Sequence, residues 1–178
     1  MALEKLFRAR LERAASILSA SQAGPKRISF TSAELSCPKA LKNLHSQFPA
    51  ETMGRQYLYQ VTLENQDSQF VIHVRDTFRR IRASGDRNMS RDNSAHLDSN
   101  SIYVGTSMDM HSRFRSHLGA GRGKSTWGLY LSAWADQIDA KFVVEYYEFD
   151  GSVSGDVELI EGVLWDALQP LFGKKGGK

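Results

Sequence analysis

Residues 101–119 read SIYVGTSMDMHSRFRSHLG. The run opens on β-branched and aromatic residues, Ile102, Tyr103 and Val104, and passes through Gly105-Thr106-Ser107 into helical spacing. Met110, Phe114 and Leu118 stand at i, i+4 and i+8, one face of a helix over Met110–Leu118. Arg113 and His117 are four apart and share a side of that helix. By helical angle His117 falls within the apolar stripe. A fixed cation and a titratable ring thus point back toward the strand that carries Tyr103. Such an arrangement suits cleavage of a phosphodiester.

On either side the pattern alternates between the periods of strand and helix. Residues 56–63 (QYLYQVTL) and 69–74 (QFVIHV) read as a hairpin around the polar turn 64–68, followed by a short basic helix at 75–83. Residues 84–100 (SGDRNMSRDNSAHLDSN) have almost no apolar residue, which predicts a mobile loop. Residues 141–149 (KFVVEYYEF) form a strand, 150–155 a Gly/Ser turn and 156–168 a helix. The order implies an α+β fold, a small, largely antiparallel sheet flanked by helices.

The first fifty residues read as a helical extension. Ala2–Ala20 is amphipathic, with Leu3, Leu6, Phe7, Leu11, Ala14, Ile17 and Leu18 on its apolar side. Gly24-Pro25 makes a turn before a short strand at 27–30. Thr31-Ser32-Ala33-Glu34 fits a capping box, although Pro38 offers a second start for a helix from Lys39 to Phe48. This segment can clasp the core, form a dimer surface or reach DNA. Residues 51–178 then form the main domain, with an insertion around 75–100.

Composition narrows the function class. Hydrophobic content of 41% and charged content of 24% over 178 residues are those of one globular domain with an appendage. The single Cys37 forms no internal disulfide and fits a reducing, cytoplasmic setting. No apolar run reaches membrane-spanning length, so no membrane partner is expected. Net charge is only +3, but six arginines (75, 79, 80, 82, 87, 91) crowd the region from Arg75 to Arg91. Arg113, Arg115, Arg122 and Lys124 make a second basic group, and both suit a polyanion.

Glu161 stands out in the last helix. Val157, Ile160, Leu164 and Leu168 follow i, i+3, i+7 and i+11, and Glu161 lies within that stripe while Glu158 and Asp166 fall away. A carboxylate on an inward face is costly unless paired, hydrogen-bonded or coordinating a metal. Taken alone it reads as half of a salt bridge, with Arg113 as a partner.

Tyr103-Val104-Gly105, with Arg113 ten residues and His117 fourteen residues after the tyrosine, resembles the second half of the GIY-YIG nuclease motif. Glu161, nine residues ahead of Pro170, is similar to that family's metal-binding glutamate helix. The resemblance spans roughly residues 57–175. It implies a divalent-metal-dependent DNA endonuclease, nucleoid-associated when bound, acting as monomer or homodimer, with RNA a weaker alternative. Glu161 would bind Mg²⁺ or Mn²⁺, Arg113 would stabilise the transition state, and Tyr59, Tyr103 or His117 would move protons. Arg113 would keep His117 neutral and able to accept one.

Arg75, Arg79, Arg80, Arg82, Arg115, Arg122 and Lys124 would hold the nucleic-acid backbone. A restriction-like, sequence-specific enzyme is the subtype expected, because an arm and an insertion leave room for recognition.

The family's first half-motif is degenerate. Tyr57-Leu58-Tyr59 puts Tyr59 in the tyrosine position and Tyr57 where glycine is usual, while Val71-Ile72-His73 competes with His73 in that role. Gly173 stands where asparagine usually follows the proline. Both departures keep open a second reading, the same fold retained as a nucleic-acid clamp without turnover.

Gly119–Ser125 (GAGRGKS) lacks the glycine six residues before its lysine and follows a helix, so it is no phosphate loop. Trp127, Tyr130 and Trp134 are expected to pack in the core.

Overall fold

The computed structural model describes residues 2–20, 24–50, 53–64, 67–85, 88–96, 99–120 and 127–176. In chain order the elements are α1 (Ala2–Ala20), β1 (Lys26–Thr31), α2 (Ser32–Ser36), α3 (Pro38–His45) and β2 (Arg55–Leu63). Then follow α4 (Ser68–Ala83), β3 (Ser101–Ser107), α5 (Met110–Leu118), β4 (Lys141–Asp150) and α6 (Ser154–Leu168). The strands form one antiparallel sheet in the order β1-β4-β2-β3, so the fold is α+β. No helix among the described residues is long and apolar enough to cross a membrane.

The period-two alternation of the strands divides the core in two. Tyr57, Tyr59 and Val61 of β2 share a face with Phe142, Val144 and Tyr146 of β4. Leu35, Leu44, Val71, Val74, Phe78, Phe114 and Leu118 pack on that face from α2, α3, α4 and α5. Leu58 and Phe149 point the other way, into a smaller cluster with Ala14 of α1 and Val157 and Ile160 of α6. An ion pair between Arg13 and Asp156 at 2.7 Å ties α1 to α6.

Of the roles open to residues 1–50, clasping the core is the one taken by 26–48. β1 is a full member of the sheet, and Ile28, Phe30, Leu35, Leu44 and Phe48 belong to the main core. A boundary at residue 50 therefore cuts through one hydrophobic cluster. Both helix starts near Thr31 are used. The Glu34 carboxylate accepts from the Thr31 N–H at 2.7 Å to open α2, and Pro38 begins α3.

Two expectations are overturned. Residues 69–74 are not a strand but the first half of α4. Asp67, in the supposed hairpin turn, caps the helix by accepting from the Phe70 N–H at 2.8 Å. Val71, Val74 and Phe78 are buried at i, i+3 and i+7, whereas Ile72 is exposed. The β-branched run Val71-Ile72 mimics a strand because the helical stripe completes only at Phe78, within the stretch expected to form a separate helix.

The segment 84–100, where described, is held rather than loose. Met89 and Ser90 are buried, the Ser90 N–H donates to Gly128 O at 2.9 Å, and the Asn93 N–H donates to Leu171 O at 2.9 Å. Arg75 is the anchor: only 4% exposed, its Nε donates to Asp92 Oδ1 at 2.9 Å and its Nη2 to the Asn93 carbonyl. Polar composition was misleading here because the order comes from buried charge pairing and backbone bonds, not from apolar side chains. Arg75→Ala is expected to lower the unfolding free energy by about 2 kcal/mol, since it removes the buried partner of Asp92 and leaves it paired with the exposed Arg79. The check is a fall in the urea midpoint at unchanged slope.

Candidate active site

The site forms where edge strand β3 lies against β2, and its floor is set by a missing side chain. Tyr59 pairs with Gly105 in the β2–β3 register. A Cβ on Gly105 would stand 2.8 Å from Tyr59 Oη and 2.8 Å from Tyr103 Cε1. Glycine at this position lets the two tyrosine rings close over the strand, stacked at 6.0 Å with 10° between their planes.

Helix α5 supplies the cation. Asp109 caps its start by accepting from the Ser112 N–H at 2.8 Å, and Gly119, at φ +83°, ends it in the left-handed conformation. Arg113 then spreads its guanidinium over both tyrosines. Nε donates to Tyr59 Oη at 2.9 Å, Nη2 to Tyr103 Oη at 2.7 Å and Nη1 to the Trp127 carbonyl at 2.9 Å. No carboxylate lies within ion-pair distance of Arg113 among the described residues.

His117 is fully buried, and its tautomer follows from its neighbours. The Leu129 N–H donates to Nδ1 at 3.2 Å, so Nδ1 carries no proton in the neutral ring. Nε2 must therefore be the protonated nitrogen, and it donates to Tyr59 Oη at 2.9 Å. Burial, and then the Arg113 charge, hold His117 well below the usual histidine range. The expected neutrality fits. The expected role as proton acceptor does not, because the one free lone pair is already filled by a backbone donor.

Tyr59 Oη thus receives two N–H donors, from His117 and Arg113. Burial pushes the Tyr59 hydroxyl above the ordinary tyrosine range, while the Arg113 charge pulls it down. Burial wins in the free protein. The neighbouring Tyr59, followed by Tyr103, strengthens the hold of Arg113 on its proton against the opposing effect of burial. His73, the competitor for the first half-motif, lies on α4 and not on the strand paired with β3.

Glu161 reaches the same strand from the opposite face. Thr106, next to Gly105, pairs with Leu58 and so points toward α6, where its Oγ1 donates to Glu161 Oε2 at 2.9 Å. Glu161 is 7% exposed, and no cation lies within ion-pair distance of it among the described residues. The salt bridge to Arg113 is therefore not made. Burial raises its proton affinity above that of an ordinary glutamate, opposed by the Thr106 hydrogen bond and the more distant Arg113. The Glu161 charge adds a last, smaller upward push to the Tyr59 hydroxyl.

The C-terminal residues cross this edge. Leu171 and Phe172 donate to the carbonyls of Ser101 and Ile102, each at 2.9 Å, which ties the C-terminal residues to edge strand β3. Gly173 has φ +107°, and a Cβ there would stand 2.7 Å from Tyr103 Cε2. Glycine at 173 thus has a local cause, since a side chain would collide with the tyrosine ring. Gly176 covers Glu161 so closely that a Cβ would stand 2.7 Å from Oε2.

The basic residues divide. Arg75 is buried in its ion pair and presents nothing to a ligand, and Arg79 is engaged by Asp92 at 2.7 Å. Arg80 donates to Gln137 Oε1, while Arg82 and Arg115 are exposed. Arg87, Arg122 and Lys124 lie outside the described residues. Thr106 is a site residue that the sequence reading missed, its one signal being its place beside Gly105, and nothing in the sequence marks Trp127 and Leu129, whose backbone atoms hold Arg113 and His117. Tyr130 and Trp134 are core, as expected, but Trp127 is 58% exposed. No family model matches this sequence, and no curated protein or solved structure matches it either.

Proposed function

We propose that this chain is a divalent-metal-dependent DNA endonuclease of the GIY-YIG kind, with a restriction-like, sequence-specific enzyme as the preferred subtype. One observation carries the reading: Arg113 and Glu161 are drawn out of water on the two sides of one strand edge, and neither has a counter-ion among the described residues. Charges so placed are costly unless a ligand completes them. A phosphate suits the guanidinium and a cation suits the carboxylate.

The donor set fits a Mg²⁺-like ion. Such ions keep several waters and take one or two carboxylates together with substrate phosphate. Glu161 would hold it, with Oε2 fixed by Thr106, and when bound the ion polarises the scissile phosphate. Gly176 must move from over Glu161 to admit a hydrated cation.

Arg113 binds the phosphoryl oxygens. Tyr59, as phenolate, takes the proton of the attacking water. The water oxygen bonds to phosphorus, the phosphorus–oxygen bond to the leaving strand breaks, and the leaving oxygen acquires a proton from solvent. His117 Nε2–H and Arg113 Nε–H stabilise the phenolate and fix its direction.

Because burial raises the Tyr59 pKa, the phenolate is a minor species near neutrality and grows with pH. Single-turnover cleavage is therefore expected to rise about tenfold per pH unit through the neutral range. Tyr59→Phe should lose both the rate and this slope. A Tyr59→Phe variant that keeps the wild-type pH profile would remove Tyr59 as the base.

Among the basic residues, Arg82→Ala and Arg115→Ala should each flatten the slope of log affinity against log salt by roughly 0.9. Arg75→Ala should leave it unchanged in protein that remains folded.

A clamp without turnover is the second reading, and the cover of Gly176 over Glu161 favours it. Incubating the purified protein with plasmid and phage DNA in Mg²⁺ or EDTA separates the two. Nicking or linearisation only in Mg²⁺ supports the enzyme. Retarded but uncut DNA in both supports the clamp.

A further inference from the structure

The geometry points to Trp127 as a stacking platform for an unpaired nucleobase beside the scissile phosphate, a subsite that rests on the phosphodiesterase reading. The three tryptophans have different situations. Trp134 is fully buried and donates its Nε1–H to Leu129 O at 2.8 Å. Trp165 is half-buried, edge-on to His96 at 4.8 Å. Trp127 leaves 58% of its surface in water and makes no ring contact among the described residues.

The backbone beneath that exposed indole is nonetheless fixed at three consecutive residues. Trp127 O accepts from Arg113 Nη1 at 2.9 Å. Gly128 is pressed onto α5, where a Cβ would stand 3.0 Å from Ser116 O, and its carbonyl accepts from the Ser90 N–H at 2.9 Å. The Leu129 N–H is bound to His117 Nδ1 at 3.2 Å. The segment is thus bolted to both Arg113 and His117 of α5, and only the indole is left unoccupied.

That combination has a physical consequence. The guanidinium that would hold the phosphate also holds the tryptophan backbone, so indole and phosphate site keep a fixed relation. The group that a nucleic acid carries within one nucleotide of its phosphate is a flat π-face, the base. Indole is the largest aromatic face a protein offers to it, and stacking tolerates any base sequence. A base inside a duplex has both faces covered by its neighbours. Trp127 therefore selects a base that is unpaired, frayed or turned out of the stack.

The test is binding in EDTA, so that cleavage plays no part. Two probes of one length serve: a single-stranded oligodeoxynucleotide, and its fully abasic counterpart with the same phosphates. The base-bearing probe should quench tryptophan emission in wild type. Trp127→Ala should abolish the quench and weaken binding about tenfold at an unchanged salt slope, because no phosphate contact is lost. Trp127→Phe should restore most of the affinity. The abasic probe should bind wild type and Trp127→Ala alike.

Equal affinity of wild type and Trp127→Ala for the base-bearing probe overturns the subsite while leaving the phosphodiesterase reading intact. A Trp127→Ala loss that is equal for both probes also overturns it, by assigning Trp127 to positioning of Arg113. Failure of wild type to bind either probe or any duplex overturns both inferences together.

Discussion

Arg113→Ala is expected to lower single-turnover cleavage by on the order of 10²–10³ while changing oligonucleotide affinity far less. The guanidinium donates to Tyr59, Tyr103 and the Trp127 carbonyl, so it is held in place before substrate arrives. Preorganised charge of this sort acts on the transition state, where the phosphoryl oxygens gain negative charge, more than on the ground state. Arg113→Lys should rescue poorly. An ammonium is a mobile point charge and cannot span two hydroxyls and a carbonyl with fixed geometry.

Arg115, exposed on the same helix, is the internal control and should lose only a little binding on substitution by alanine. Rates measured at saturating enzyme separate turnover from affinity. If Arg113→Ala and Arg115→Ala behave alike, the tyrosine cluster around Arg113 has no catalytic meaning.

Glu161→Gln should abolish metal-dependent cleavage, a loss on the order of 10³ or more, because several kcal/mol of charge stabilisation depend on the ion it would hold. The substitution keeps size and preserves an oxygen for the Thr106 hydroxyl. Burial already raises the proton affinity of Glu161, so the neutral amide costs the fold nothing and removes a buried charge. The variant should therefore fold at least as stably as wild type and bind DNA in EDTA with similar affinity. A variant with undiminished cleavage would remove Glu161 from the metal role.

Much of this was legible because strand and helix periods agree with the turn chemistry around them. β3 and α5 follow from Ile102, Tyr103 and Val104 ahead of the Met110, Phe114 and Leu118 stripe, and the structure keeps the helix bounds at Met110–Leu118. Glu161 was visible as a carboxylate within the apolar face of α6, and it is buried there. The reading failed where order came from long-range polar contacts. Arg75 looked like a ligand for phosphate, yet Asp92, seventeen residues on, claims it. Residues 84–100 looked mobile because backbone bonds to Gly128 and Leu171 leave no mark in composition.

The tautomer of His117 is a second case. Sequence spacing placed its ring in the right stripe, but only the approach of the Leu129 N–H decides which nitrogen is protonated. That single backbone donor turns a candidate proton acceptor into a group that orients Tyr59. Register also separates Tyr59 from His73, since β2 sets Tyr59 opposite Gly105 while His73 lies on a helix.

Arg113 and Glu161 are proposed to be two halves of one site, completed together by a phosphodiester and a cation. Mn²⁺ binding, measured by electron paramagnetic resonance with and without an oligonucleotide, addresses it directly. The account predicts one bound ion that Glu161→Gln removes and that binds more tightly when the oligonucleotide is present, the gain vanishing in Arg113→Ala. Mn²⁺ affinity that is indifferent to Glu161→Gln, or that the oligonucleotide leaves unchanged, would contradict it.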